Sequence, residues 1–251
     1  MIRGIEEICK IQEDTENGII KETHEKFLDH LRLLQEQFLD MTEFLVNYFE
    51  YGNLKQDDNN LLILCVGILS DSIRKQRICV QLTTRGYYDE AANLSRHIME
   101  SSFTLIYLSK NKNSLADYLK QQQYERDKLI RGMKNPGTVF DNFKRLLEEL
   151  DKGAYYTFYR TICRWSHTST ETLRSTFEFD DNGNNNYYFT RRLNQEMSEL
   201  LFNVLFGFIN EAFWDGFVKI FSIEGDVPKP LKHYKEVNEK ASVIFNKFYH
   251  V

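Results

Sequence analysis

Proline occurs three times in 251 residues, at Pro136, Pro228 and Pro230, and glycine 12 times. Proline removes a backbone donor and breaks a helix interior, while glycine marks turns. A chain so poor in both favours long helices over many short strands. Apolar residues make up 42% and aromatic residues 14%, enough for a sizeable core. These features predict an all-α fold, a single helical bundle of about seven to nine helices. Residues 1–251 read as one domain, without an internal repeat.

Apolar spacing divides that domain. Residues 1–20 read as a short helix or arm ending at Asn17-Gly18, and a long helix runs from about Lys21 to Tyr51. In the latter, Phe27, Leu31, Leu34, Phe38, Met41, Leu45 and Tyr48 alternate in steps of four and three, a heptad-like seam widened by Leu28, Leu39 and Val46. Packing inside the bundle and a dimer seam both fit this pattern. Gly52-Asn53 closes the helix and Asp57-Asp58-Asn59 can cap the next one, from Leu61 to Thr84. The first half of this helix is apolar on most sides and should be central. After Arg85-Gly86, residues 88–109 return as its hairpin partner, with Ala91, Ala92, Ser95 and Ser102 allowing close approach.

Ser114 to about Met133 is a charged helix ended by Asn135-Pro136-Gly137. Thr138 resembles the start of a capping box for a short helix reaching Leu150, and Tyr155–His167 forms another helix. Residues 172–189 form a small irregular or hairpin insertion, with Thr172–Phe179 and Tyr187–Phe189 flanking an Asp/Asn/Gly turn. Thr190 should cap a long apolar helix from Arg191 to Ile223, and a final helix follows Pro228-Lys229-Pro230. The parts are thus an acidic arm and long helix (1–58), a core bundle (59–223) and a C-terminal helix (229–251).

Net charge is −5, unevenly spread: residues 1–58 hold 6 Lys and Arg against 14 Asp and Glu, the rest 26 against 23. Lys110 to Lys134 is locally basic. Cys9, Cys65, Cys79 and Cys163 form no CxxC pair and read as buried, reduced thiols. Mean hydropathy is −0.49 and no apolar run is long enough to span a bilayer. The first residues carry no apolar signal region. The expectation is a soluble, cytoplasmic protein without a membrane partner.

No P-loop, G-x-S-x-G elbow, HExxH, CxxC or EF-hand pattern is present. His97-Ile98-Met99-Glu100 runs opposite to the Glu-x-x-His of di-iron bundles, so neither a metal nor a cofactor is expected. Two features can carry chemistry. Arg96 and Glu100 are one turn apart on a helix rich in small and apolar residues; they form an internal ion pair, or Arg96 holds phosphate with Glu100 in support. On the Tyr155–His167 helix, Tyr156, Arg160, Arg164 and His167 recur in steps of four and three, along one face. Imidazole transfers protons near neutral pH, and guanidinium binds phosphate oxygens through its planar fork. Solvated arginines beside a helix-end histidine are the simpler alternative.

The Arg160-x6-His167 spacing, late in a helical bundle, resembles the Arg-x(4–6)-His motif of HEPN (higher-eukaryote and prokaryote nucleotide-binding) domains. Arg96, Glu100, Tyr159, Ser166 and His167 also resemble the pattern of a bacterial helical family of unknown function. The HEPN resemblance implies a metal-independent ribonuclease of toxin–antitoxin or phage-defence type, acting on RNA as a homo-oligomer. Arg160 and His167 would be catalytic; Arg96, Glu100, Tyr156, Arg164 and Ser166 would support phosphate or structure. The alternative is a non-catalytic helical binding or scaffold protein that self-associates.

Overall fold

A computed structural model describes residues 5–50, 59–166, 177–179, 185–187, 193–218 and 229–244. Among these lie eight α-helices: α1 (Ile5–Glu50), α2 (Asn59–Thr84), α3 (Tyr88–Lys110), α4 (Leu115–Arg131), α5 (Phe143–Glu149), α6 (Tyr155–Ser166), α7 (Gln195–Glu211) and α8 (Lys229–Ile244). A π-helical segment, Ala212–Val218, extends α7. Two three-residue strands, β1 (Phe177–Phe179) and β2 (Asn185–Tyr187), pair antiparallel with Phe177 opposite Tyr187. The fold is all-α. No described helix is long and apolar enough to cross a membrane.

Several boundaries differ from the local signals. Asn17-Gly18 does not end a helix. α1 runs through it for 46 residues and departs from helical geometry at Phe27 (φ −120, ψ 24). A lone helical glycine costs only about 1 kcal/mol, and the buried Ile19, Thr23 and Phe27 continue the inward face past it. Gly132, in the left-handed region at φ 58, terminates α4 before Asn135-Pro136-Gly137 is reached. Thr138 precedes a 3₁₀ turn, Val139–Asp141, but its side chain makes no capping bond; its hydroxyl donates to Gln121 Oε1 at 3.0 Å. Asn142 caps α5, its Oδ1 accepting the Arg145 N–H at 3.2 Å. Asn194 does the same for α7 through Met197 N–H at 3.0 Å. The expected caps Thr190, Asp57 and Asp58, and the Gly52-Asn53 stop, lie outside the described residues. Asn185 and Asn186, expected in the turn, belong to β2. The first half of α2 is not uniformly covered either: Leu61, Leu62, Cys65, Val66 and Leu69 are buried, but Ile63 is 56% exposed.

α3 is the central helix, packed against α2, α5, α6, α7 and the π-helical segment. Small residues explain the close approach to α2: the Cys79 thiol lies 3.2 Å from the Ala91 carbonyl and 3.1 Å from Ser95 Oγ. Phe103, fully buried, organises the opposite side. Its ring centroid is 6.0 Å from Phe143 of α5, 5.4 Å from Tyr155 of α6 and 5.6 Å from Phe208 of α7. Gly216 meets α3 so tightly that an added Cβ would lie 3.0 Å from Leu105 Cγ. Its carbonyl accepts the Ser109 hydroxyl. α8 lies against α1 through Tyr234, Val237 and Ala241, all buried.

Candidate functional site

The aromatic packing around Phe103 sets the rotation of α6. With Tyr155 turned into the core and Ile162 fully buried, the residue one turn after Tyr155 meets the middle of α3. That residue is Tyr159, whose Oη donates to Glu100 Oε1 at 2.6 Å. The Arg96 Nε is 3.7 Å from the same carboxylate oxygen, and His97 Nδ1 is 3.6 Å from the other. One carboxylate therefore faces a phenol, a guanidinium and an imidazole. Side-chain exposure rises outward, from 23% for Arg96 through 33% for Glu100 to 43% for His97. The cluster is open to solvent on its His97 side.

Burial and the hydrogen bond to Glu100 push the Tyr159 phenol well above its ordinary range, so it remains a donor. Burial also raises the Cys163 thiol, against the lowering influence of Tyr159 and Arg96 beside it. His97 is lowered, first by burial and then by the positive charges of Arg96 and Lys75; Glu100 and Asp71 oppose that shift. A neutral imidazole beside a carboxylate and two cations can accept a proton near neutral pH.

The sequence candidates separate in space. Arg96, Glu100 and Tyr159 are brought together. Arg160 and Arg164 lie on exposed positions of α6 and form no ion pair with another described residue. Tyr156 is half-buried; its ring stacks on Tyr159 at 6.0 Å between centroids, and Lys144 Nζ lies 5.9 Å from its centre. Ser166 donates to the Cys163 carbonyl at 3.0 Å, an ordinary contact within a helix. His167 lies outside the described residues. His97 and Cys163 are the additions. His97 shares the face of Glu100 by its three-residue spacing, a signal equally suited to a metal pair. Cys163 follows Tyr159 by one turn, a spacing that reads as packing.

Among the described residues, no group of three or more His, Cys, Asp and Glu side chains is placed to hold a metal ion. No family model, curated protein or solved structure matches this chain.

Proposed function

We propose that the protein is a HEPN-like, metal-independent endoribonuclease, a cytoplasmic toxin or phage-defence effector acting as a homodimer. The observation that supports this reading is the Tyr159–Glu100 hydrogen bond, which couples the Arg96–Glu100 turn to the helix presenting Arg160 and Arg164. Arg160 binds and neutralises the scissile phosphate, and Arg164 adds charge on the same helix. His167 assists proton transfer. Arg96, Glu100 and Tyr159 hold α6 against α3. The test is cleavage of a defined RNA by purified protein in the presence of a chelator. Arg160→Ala and His167→Ala, shown to be folded by circular dichroism, should each lower the rate by about 10²–10⁴-fold. Unchanged cleavage removes those roles.

A second reading, a self-associating binding protein without turnover, draws on a different place. Between α1 and α2 lies a groove of about 460 Å³, whose lining includes Leu31, Phe38, Leu39 and Val80. Leu39 is 54% exposed. On this reading Leu39→Asp lowers the mass measured by light scattering, while no RNA is cut by either protein. Cleavage by the wild-type chain rejects it.

A further inference from the structure

The groove between α1 and α2 has a volume of about 460 Å³. Pockets that hold small organic molecules span about 300–1,000 Å³. Leu31, Leu34, Phe38 and Val80 give it an apolar wall, and Gln76, 1% exposed, also lines it. The buried bonds around Gln76 fix which end of its amide is left over. The Phe206 carbonyl can only accept, so Gln37 turns Nε2 to it, at 3.1 Å. Gln37 Oε1 then faces Gln76 and accepts from Gln76 Nε2 at 2.6 Å. Flipping the Gln76 amide would set two acceptor oxygens against each other. Gln76 Oε1 is therefore the remaining acceptor, buried and without a hydrogen-bond partner among the described residues. A buried acceptor left in this way costs free energy until a donor reaches it.

The groove also has a charge preference. Residues 1–58 carry 14 acidic side chains, yet among the described residues no carboxylate lines the groove. Arg77, exposed and next to Gln76 in the chain, is the one permanent charge among the described residues of the lining. His24, also on the lining, is neutral or positive. The Phe38 ring steadies the guanidinium, whose Cζ lies 5.8 Å from the ring centre. No ion pair joins Arg77 to another described residue. Its planar fork is thus open to an anion.

We propose that this groove binds an aromatic organic acid that carries a ring N–H or O–H. The donor enters first and bonds Gln76 Oε1. The ring lies against Leu31, Leu34 and Phe38, and the carboxylate, outermost, pairs with Arg77. A flat aromatic body suits the wall, because it buries apolar area without ordering a flexible chain. Occupancy is independent of RNA cleavage, since none of Arg96, Glu100, Tyr159 and Arg160 lines the groove.

The probe is indole-3-propionate, titrated into the full chain by calorimetry. It should bind with a Kd below about 1 mM and raise the thermal midpoint. Two relatives of the probe dissect the contact without altering the protein. 1-Benzothiophene-3-propionate has the same shape but no donor and should bind about 3–10-fold more weakly. Indole-3-propanamide lacks the charge and should lose about 2–5-fold. Arg77→Gln should abolish the preference for the acid over the amide. Gln76→Leu, shown to be folded by circular dichroism, should bind the indole and benzothiophene acids alike; if it does not fold, the two acids compared on the wild type still decide. Equal affinity of those two acids for the wild type overturns the proposal, as does no binding of indole-3-propionate at about 1 mM. A dimer that Leu39→Asp dissociates and that takes up no acid gives the groove to a second copy, and also overturns it.

Discussion

Two polar clusters of the bundle differ in kind. In the first, Gln37 Nε2 donates to the Phe206 carbonyl at 3.1 Å, Gln76 donates to Gln37 Oε1 at 2.6 Å, and Tyr234 donates to Asn210 Oδ1 at 2.8 Å. Gln37, Gln76 and Tyr234 are buried, and none is charged. This cluster ties α1, α2, α7 and α8 into one register. The second, Arg96, His97, Glu100 and Tyr159, is charged and opens outward. A buried amide network can specify packing, because misalignment would cost its remaining bonds, although Gln76 Oε1 already lacks a partner among the described residues. An open, charged cluster contributes less to stability, since water screens its ion pairs, and it can meet a substrate.

Variants that strike one cluster and spare the other sharpen this contrast. Gln37→Ala should cost about 2–4 kcal/mol in urea unfolding, because it takes the acceptor from the buried Gln76 amide and leaves a cavity in the core. A loss below about 0.5 kcal/mol would show that the buried network does not hold the helices in register. Gly216→Ala should cost about 1–3 kcal/mol through overpacking against Leu105, read as a lower thermal midpoint. Full stability there would mean that α3 and the π-helical segment separate easily. Tyr159→Phe removes one hydrogen bond at a half-open position and should cost about 1 kcal/mol. A loss as large as that of Gln37→Ala would erase the distinction between the two clusters.

The smallest effects belong to the open face. Arg160→Ala and Arg164→Ala should each change stability by less than about 0.5 kcal/mol, whatever they do to cleavage. His97 adds a dependence on pH. Its folded value lies below the ordinary imidazole value of 6.5, so the unfolded chain binds the proton more readily. The stability it contributes is present above 6.5 and is lost as pH falls through the lowered folded value. Unfolding midpoints measured between about pH 7 and 5 should thus fall more for the wild type than for His97→Gln. Parallel slopes would mean that His97 is equally solvated in both states.

Local signals located many of the elements. The Arg85-Gly86 turn and the small residues after it identified the α2–α3 hairpin, because Gly86 has φ 79 and Ala91 and Ser95 face Cys79. They misplaced helix ends wherever several candidate caps lay close together. Thr138 precedes only the 3₁₀ turn Val139–Asp141, and Asn142, four residues on, supplies the side-chain cap of α5. The Arg96–Glu100 pair was visible from its four-residue spacing, while the part played by His97 was obscured by a spacing that serves several chemistries.

Proline scarcity and the recurring three- and four-residue apolar steps determined that this chain is helical, and where most of its helices run, because helix formation depends on neighbours within a few residues. The meeting of Tyr159 with Glu100 was decided only in three dimensions. Those residues are 59 positions apart, and each helix could have presented another face. The mutual packing of the Phe103, Tyr155 and Phe208 rings selected the rotation of α6 that turns a phenol onto that carboxylate.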